Sequence, residues 1–426
     1  MKSLLLISHF FPPVGGGAVQ RALKLAKYLP QMGWRPLVLA ALEPPAPAWD
    51  ESLLAELPPE CLVTRVPTPL GRGGPGPAPA GGKGGGGDPA GGSGGWKRRL
   101  AGLAFPDVHL AWLPGALRPA LALAQREGAR AVMVTAPPFS SFLLGWAVAR
   151  RLRLPLVLDF RDEWTGFYNA GYSPGAQSPL RDRAARWLEA RLVGAADLVT
   201  TASPAYGRRF RALYGGPAGK YLWLPNGYDP TDFPGAADPA PPPSPPAPPL
   251  ELWYAGTVFG VTSLRHLWAG LALLDPAERA GCRVRVAGRA VAGEVIDPGL
   301  AGLEVRELGY VDHGEVTQAL ATAGALVLTL EDLPGAGRVI PAKLYEYLAA
   351  RRPILALVPP GVAARLVRGL GAGQVVPPGD PAALAQVLRE WLAAPPLAAT
   401  APPPPAFSRQ EEARFLARRL DRLTGA

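Results

Sequence analysis

Cysteine and histidine are scarce in this sequence of 426 residues. The two cysteines, Cys61 and Cys282, lie far apart in the chain, so the sequence predicts neither a disulfide framework nor a cysteine metal site. The four histidines lack metal-ligand spacing, and we expect structural or surface positions for His9, His109, His266 and His313. His9 is of further interest because it ends the first predicted strand.

Long apolar runs are also missing. No stretch reaches the roughly 18 apolar residues that a membrane span needs. Residues 1–11 lack the small-residue cleavage site of a secretory signal. We therefore expect a chain that is neither secreted nor integral to a membrane, and the few cysteines favour a cytoplasmic location.

A continuous stripe of cations is absent too, although positive charge is in excess. The formal net charge of +10 favours anionic partners such as nucleotide phosphates or anionic lipid headgroups. The basic residues are spread over several predicted helices and are not interleaved with aromatic residues, as they are in proteins that bind single-stranded nucleic acid. Nucleic acid is therefore not an expected partner.

Glycine and proline are abundant instead, with 51 and 52 residues, and they crowd into two tracts, 71–95 and 234–249. A tract with almost no apolar side chain cannot compensate for the entropy lost when it becomes ordered. We expect residues 71–95 to form a mobile loop. The second tract is expected to belong to a proline-rich linker between domains, residues 226–250.

Outside these tracts, short apolar strands alternate with helical patterns in two separate series. The first series has predicted strands at 3–8, 36–41, 131–135, 154–160, 197–201 and 221–225, with helices at 18–31, 139–153 and 180–193. The second has predicted strands at 251–255, 283–287, near 305, 325–330 and 353–358, with helices at 263–274, 315–323, 341–351, 362–370 and 381–393. The alternation predicts an α/β protein with two Rossmann-like units, each built on a parallel sheet.

The segment from Pro341 to Ala350 carries the most informative pair of charged residues. Proline suits the first helical position, so Lys343 and Glu346 are predicted in the first turns, three residues apart on one face. Backbone N–H groups and an ammonium at a helix start can bind a diphosphate, and a glutamate one turn deeper can accept hydrogen bonds from two ribose hydroxyls. A plain surface ion pair is an equally open interpretation.

A glycine-rich loop of Gly15, Gly16 and Gly17 separates the first predicted strand from its helix, and its backbone can come close to a ligand. As a dinucleotide fingerprint the loop fails, because Gln20 stands where a glycine is required. Glu43, near the end of the second strand, nevertheless leaves an NAD-dependent oxidoreductase open. A tight turn without a ligand is the simpler alternative.

Two carboxylates, Asp159 and Asp162, follow a buried strand, at the edge where α/β sheets present ligands. Their position makes them candidates for a functional site. The alternative is that Asp162 pairs with Arg161 or caps a helix, and so only fixes the loop.

Taken together, the motifs resemble the retaining GT-B glycosyltransferases of family four, the group 1 type, over nearly the whole chain. The resemblance is carried, in chain order, by Phe10-Phe-Pro-Pro-x-Gly-Gly-Gly17 with Arg21, Asp159-Phe-Arg-Asp-Glu-Trp164, Leu224-Pro-Asn-Gly-Tyr-Asp229, Tyr254-Ala-Gly256, Val286-Ala-Gly288, the segment from Pro341 to Ile354, and Pro377-Pro-Gly-Asp380.

On the donor side, the resemblance implies that Glu346, the second glutamate of an E-x7-E motif, binds ribose. It also implies that Lys343 lies near the donor phosphates, where it acts in catalysis, and that the glycine loop and Gly256 approach the donor. The first motif glutamate is replaced by Arg338, a departure that leaves the donor sugar open. Arg265 is the nearest candidate for the basic residue that often follows the first strand of the second domain.

On the acceptor side, the resemblance places Asp162 at the cleft, where it could orient or deprotonate the acceptor hydroxyl as a general base. Asp159, Arg161, Trp164 and His9 are the other residues expected on this side. The resemblance also implies a domain organisation: an acceptor domain at 1–225, a nucleotide-sugar domain at 251–405, and a helix at 406–426 that returns to the first domain.

The expected reaction is the transfer of a sugar from a nucleoside diphosphate sugar to an acceptor hydroxyl, with retention of configuration. We expect no metal and no cofactor, because no DxD-type pair stands where a metal would be needed. Glycans and lipid-linked glycans, as in cell-surface polysaccharide or glycolipid synthesis, are the expected acceptors. A GT-B sugar-nucleotide epimerase and a catalytically inactive GT-B scaffold remain alternatives, besides the oxidoreductase.

The segment from Trp96 to Arg99 joins one aromatic residue to three cations, a combination that lets a peripheral protein rest on an anionic bilayer. This segment predicts contact with the inner face of the membrane. A solvated loop end is an equally open interpretation.

Overall fold

The structure is a computed structural model that describes residues 1–46, 48–69, 104–169, 178–236, 249–396 and 402–425. The tract 71–95, the segment from Trp96 to Arg99 and residues 237–248 of the proline-rich linker lie outside the described residues. Their predicted behaviour therefore stays a prediction.

The first sheet has seven parallel strands in the order β3-β2-β1-β4-β5-β6-β7. The strands are β1 (Lys2–Ile7), β2 (Trp34–Leu42), β3 (Leu62–Pro67), β4 (Ala129–Ala136), β5 (Leu156–Phe160), β6 (Leu198–Thr201) and β7 (Tyr221–Trp223). Its helices are α1 (Gly17–Tyr28), α2 (Leu113–Arg126), α3 (Ser141–Leu152), α4 (Pro179–Ala195) and α5 (Pro204–Tyr214). We call this sheet with its helices the first unit.

The second sheet has six parallel strands in the order β10-β9-β8-β11-β12-β13. The strands are β8 (Leu250–Ala255), β9 (Cys282–Ala287), β10 (Glu304–Gly309), β11 (Ala325–Thr329), β12 (Ile354–Leu357) and β13 (Gly373–Val376). Its helices are α6 (Arg265–Ala272), α7 (Pro276–Ala280), α8 (His313–Thr322), α9 (Lys343–Ala350), α10 (Val362–Gly369) and α11 (Pro381–Ala393). These elements form the second unit.

Both faces of the first sheet are covered. Because successive side chains of a strand point to opposite faces, Leu5 and Ile7 of β1 join one apolar cluster while Leu4 and Leu6 join another. This two-sided burial explains why the strands are continuous apolar runs without polar alternation.

The last helix, α12 (Arg409–Thr424), packs on the first unit. Leu416 and Leu420 lie in the same buried cluster as Leu4 of β1. Asp421 accepts a hydrogen bond from the indole of Trp34 at 2.9 Å and pairs with Lys2. The chain therefore crosses back from the second unit to the first at its end.

The predicted α/β class with two parallel Rossmann-like units is confirmed. Several helix starts differ from the prediction, and the start of α9 is one of them. Helix α9 begins at Lys343 and not at Pro341, because the N–H groups of Leu344 and Tyr345 donate to carbonyls three residues back, at Pro341 and Ala342, in a tighter first turn. No helix in the described ranges is both long enough and apolar enough to cross a membrane.

Candidate active site between two carboxyl edges

The glycine-rich loop lies where the two units meet. Gly16 has a φ of 87°, in the left-handed region that glycine adopts without strain. A Cβ at Gly15 would lie 3.1 Å from the hydroxyl of Tyr310, which follows β10 of the second unit. Cβ atoms at Gly16 or Gly17 would meet no heavy atom of the described residues within 4 Å. The loop is thus closed against the second unit at Gly15 and open at the start of α1.

On the side of the second unit, two glycines bring the ends of β8 and β9 together. A Cβ at Gly288 would lie 2.1 Å from the carbonyl oxygen of Gly256, so only glycine fits there. A Cβ at Gly256 would lie 3.0 Å from Nζ of Lys343. The lysine ammonium therefore lies directly beside bare backbone at the end of β8.

Lys343 and Glu346 stand at the start of α9, three residues apart. Nζ of Lys343 lies 3.8 Å from the ring centroid of Tyr254, a cation–π contact. Neither Lys343 nor Glu346 makes a hydrogen bond or an ion pair to another described residue, and both side chains are half-buried. The surface ion pair that the spacing allowed is not formed, so both charges remain available to a ligand.

Arg265, the predicted donor-side arginine, lies at the first position of α6. Its side chain is 66% exposed and is paired with Glu331. Glu331 also lies 3.0 Å from Nε2 of His266, whose Nδ1 accepts a hydrogen bond from the Gly379 N–H at 3.1 Å. The structure therefore groups Arg265 with Glu331 and His266, and none of these three forms a hydrogen bond or an ion pair with Lys343 or Glu346.

Glu331 is a residue that the sequence analysis missed. It is buried, and its Oε1 has no hydrogen-bond partner among the described residues. The signal was present, because Glu331 comes two residues after β11, at the carboxyl edge where ligands are bound.

Asp159, which we expected on the acceptor side, is fully buried. Arg21 donates to both of its carboxylate oxygens at 2.9 to 3.1 Å, and Thr135 and Thr200 donate at 2.8 and 2.6 Å. Arg21 also donates to the Leu224 carbonyl. This geometry corrects the expected acceptor contact, because every oxygen is already engaged; Asp159 instead fixes α1 and the chain after β7 to the sheet.

Asp162 has different surroundings. It is half-buried, makes no hydrogen bond to a described residue, and lies three residues beyond Asp159 in the loop after β5. Burial raises the pKa of the Asp162 carboxyl, although Arg161 and Arg21 pull it down. A carboxylate that is partly desolvated and has no hydrogen-bond partner among the described residues is a candidate for a general base.

Arg161, the chain neighbour of Asp162, and Trp164 line a cavity of about 400 Å³, which we call the aromatic cavity; Asp162 itself is not one of its lining residues. Arg161 donates to the carbonyls of Ala18, Ala136 and Pro137, and so connects the start of α1 to the end of β4. Trp164 is buried and stacks on Phe139, with 4.8 Å between the ring centroids. The remaining walls include Phe10, Phe105, His109, Tyr168 and Arg181.

His9 lies behind this cavity and does not line it. Its ring is buried against His109 and Trp112, with centroids 4.4 and 4.9 Å away. Both ring nitrogens lack a partner among the described residues. Burial, together with the neighbouring His109, lowers the pKa of His9 to about 3, so the ring is neutral at physiological pH.

Arg338, which replaces the expected first motif glutamate, reaches into the first unit. Its Nε and Nη2 donate to Oε2 of Glu163 at 2.9 and 2.7 Å. Glu163 is fully buried and also pairs with Arg209 of α5. The positive charge at position 338 is thus balanced by a carboxylate of the opposite unit, one residue beyond Asp162.

A second polar contact between the units involves His313, the first residue of α8. Its Nε2 lies 2.9 Å from Asp232, which follows β7 and also lies 3.4 Å from Nζ of Lys24. Burial opposes the charge on His313, but the hydrogen bond to Asp232 and the nearby Glu346 carboxylate outweigh it and raise the pKa of His313. Glu346 is therefore close to a contact between the units.

Two Rossmann-like units whose carboxyl edges meet across a cleft are the defining features of the GT-B class. The family comparison agrees with this class: the model for the glycosyl transferase 4-like domain matches residues 16–227, and the model for glycosyl transferases group 1 matches residues 251–394. The chain belongs to the group 1 glycosyltransferases of the GT4 type.

The sequence has no match among curated proteins. Among solved structures, the chain is similar to HepE of Anabaena in complex with UDP-glucose, with a TM-score of 0.58, 17% identity, and coverage of 100% of this chain and 98% of that one. It is also similar to WaaG, a glycosyltransferase involved in lipopolysaccharide biosynthesis (TM-score 0.54, 16% identity, coverage 99% and 100%).

A putative UDP-N-acetylglucosamine 2-epimerase from Listeria monocytogenes is similar as well, with a TM-score of 0.53, 10% identity, and coverage of 100% and 98%. At these identities the likeness concerns the fold. The fold alone therefore does not separate a transferase from an epimerase.

Proposed function

We propose that the protein transfers a glycosyl group from a nucleoside diphosphate sugar to an acceptor hydroxyl, with retention of configuration. The observation that carries the proposal is the pair at the start of α9: Lys343 has no anionic partner among the described residues and lies against the bare backbone of Gly256, with Glu346 one turn deeper. A cation and a hydrogen-bond acceptor spaced in this way suit a diphosphate and a ribose.

In the proposed donor complex, the diphosphate lies between Lys343, Gly256 and the open part of the glycine loop. Glu346 accepts hydrogen bonds from the ribose hydroxyls. HepE of Anabaena, which has the same fold, forms a complex with UDP-glucose, and this supports a nucleoside diphosphate sugar as the donor. We propose that Lys343 and backbone N–H groups stabilise the departing diphosphate without a metal or another cofactor.

On the acceptor side, Asp162 is the proposed general base, because burial raises the pKa of its carboxyl and so makes it a stronger proton acceptor. The adjacent aromatic cavity is the proposed acceptor-binding region. No carboxylate is assigned as a nucleophile, so catalysis comes from positioning and from charge stabilisation at the leaving group. We propose a glycan or lipid-linked acceptor in cell-surface polysaccharide or glycolipid synthesis, at the cytoplasmic face of the membrane.

An epimerase is the second candidate, because the Listeria monocytogenes neighbour is described as one. An epimerase would use the nucleotide site and need no acceptor. The aromatic cavity next to Asp162 favours the transferase, because an enzyme without an acceptor has no use for it.

Product analysis separates these functions. The purified protein is incubated with UDP-, GDP- and dTDP-sugars, with and without candidate glycan acceptors, and the products are identified by proton NMR. We expect free nucleoside diphosphate and a product with the anomeric configuration of the donor, undiminished in EDTA. Asp162→Asn should slow transfer about 10²–10⁴-fold while nucleotide binding persists.

The other outcomes are distinct. An epimerised nucleotide sugar without release of nucleoside diphosphate would establish the epimerase. Activity lost in EDTA and restored by Mg²⁺ would refute the metal-independent mechanism. Nucleotide-sugar binding with no turnover of any donor would indicate an inactive scaffold.

A further inference from the structure

Helix α4 has an exposed face with an unusual composition. Leu180, Arg183, Trp187 and Arg191 recur every three or four residues and so lie on one side of the helix, which we call the α4 outer face. Leu180 is 77% exposed and Trp187 is 61% exposed, the highest values among the large apolar side chains of the described residues apart from Met1.

The opposite side of α4 packs against the core of the first unit. Ala185, Leu192 and Val193 are buried in the core of the first unit. Glu189 is also buried, and it accepts hydrogen bonds from the N–H and the hydroxyl of Thr165 at 3.1 and 3.0 Å. A helix that packs in this way is expected to be polar outside. Packing among the described residues therefore does not explain Leu180 and Trp187.

The basic and acidic side chains of α4 also lie on different sides of the helix. Arg183, Arg186 and Arg191 are exposed, and within the described ranges none of them forms an ion pair. The two acidic residues of the helix are turned away, with Glu189 buried and Asp182 at the wall of the aromatic cavity. The outer face thus presents cations without acids, and its complement is an anionic surface.

Apolar and cationic side chains are combined closely on this face. The guanidinium of Arg191 lies 5.5 Å from the ring centroid of Trp187. Tryptophan and leucine side chains can enter the headgroup region of a bilayer. Neighbouring arginines stay at the phosphates, because the long arginine side chains extend along the surface. A compact acidic protein would match the charges but offers no general reason for the exposed indole and leucine.

We propose that the α4 outer face docks on an anionic phospholipid bilayer. The same helix supplies Arg181, Asp182 and Ala185 to the wall of the aromatic cavity. Docking of this face therefore holds the cavity close to the membrane surface. The benefit for acceptor binding rests on the proposed function of the cavity, whereas the docking itself does not.

Vesicle co-sedimentation tests the docking. The full chain is mixed with vesicles of phosphatidylcholine alone or of phosphatidylcholine with phosphatidylglycerol. We expect binding only to the anionic vesicles, weakened by salt. Replacing Arg183, Arg186 and Arg191 together by alanine should weaken binding about a hundredfold, from three surface charges. Trp187→Ala should weaken it without altering the salt dependence.

A matched control removes three exposed arginines from the second unit, Arg306, Arg365 and Arg368, and should bind vesicles like the parent. Calorimetry with UDP on every variant separates docking from donor binding, so a failed donor site would not be mistaken for a failed docking surface.

The proposal is wrong if the parent ignores anionic vesicles or if the α4 triple variant binds as tightly as the control. It is also wrong if only replacement of Lys97, Arg98 and Arg99 abolishes binding. Binding of a single-stranded oligonucleotide that is lost in the α4 variant, with no vesicle binding by the parent, would assign the face to nucleic acid.

Discussion

Three acidic residues at and after the end of β5, Asp159, Asp162 and Glu163, are close in sequence but have different surroundings. Asp159 is saturated by Arg21 and two threonines, and Glu163 is held between Arg338 and Arg209. Asp162 alone is without such partners among the described residues. The sequence placed Asp159 and Asp162 at this edge of the sheet and did not single out Glu163. It could not distinguish their surroundings, because the partners come from distant parts of the chain.

His313 is a residue whose protonation should affect stability. Its pKa in the folded protein is raised above the ordinary value of 6.5, so folding favours the protonated form. This contribution is fully present below the unfolded pKa and is lost as pH rises through the folded pKa. We therefore expect the free energy of unfolding to fall with pH above about 6.5.

Urea denaturation at a series of pH values measures this effect. His313→Asn keeps a hydrogen-bond donor for Asp232 but cannot titrate, so its stability should depend less on pH in this range. Asp232→Asn should flatten the same part of the profile. Identical profiles for the parent and both variants would show that the contact between His313 and Asp232 contributes no such stability.

At the scale of the elements, the ends of β8 and β9 depend on two glycines in contact. A Cβ atom added at Gly288 would overlap the backbone carbonyl of Gly256, and backbone cannot rotate away as a side chain can. Gly288→Ala should therefore lower the free energy of unfolding by about 3 kcal/mol, from overpacking and from strain at its φ of 142°.

Denaturant unfolding of Gly288→Ala against a control tests this prediction. Gly194, in the last turn of α4, has open space around it, and Gly194→Ala should be neutral or stabilising by up to about 1 kcal/mol. Equal stability of the two variants would mean that the ends of β8 and β9 are not tightly joined.

Most of the elements were predictable from local pattern, but not all. Buried parallel strands such as β5 and β12 are short apolar runs, and α11 begins at Pro381 after the capping Asp380, as the sequence indicates. Strands β3 and β13 and helices α2, α5 and α7 were not anticipated. Strand β13 shows the reason. It has only four residues, one of them a glycine, so its sequence carries little strand pattern. Its position is set by pairing in register with β12.

At the scale of the whole molecule, three polar contacts between described residues join the two units, and the sequence did not reveal them. They join Asp50 to Tyr310, Glu163 to Arg338, and Asp232 to His313. In each pair the partners are separated by 81 residues or more, a range at which neither periodicity nor motif spacing gives information. Arg338 illustrates the limit: the sequence showed that a carboxylate was missing, and only the structure supplied the partner.

Together with the apolar cluster that contains Phe167 and Tyr345, these contacts hold α9, the proposed donor-side helix, and the loop after β5, the proposed acceptor-side loop, at one cleft. The proposed transfer reaction requires that a nucleoside diphosphate binds at α9, because α9 is the proposed donor site. Calorimetric titration of the full chain with UDP is the most direct test, with Lys343→Ala and Glu346→Ala as variants. Arg368→Ala and Glu390→Ala, exposed positions on α10 and α11, are charge-matched controls.

We predict that UDP binds the parent and both controls with the same affinity. Lys343→Ala and Glu346→Ala should each weaken binding by about 1.5–3 kcal/mol, the usual contribution of a hydrogen bond to a charged group, without a change in the unfolding transition. Unchanged UDP affinity in both variants, or no UDP binding by the parent, would contradict the assignment of α9 as the donor site.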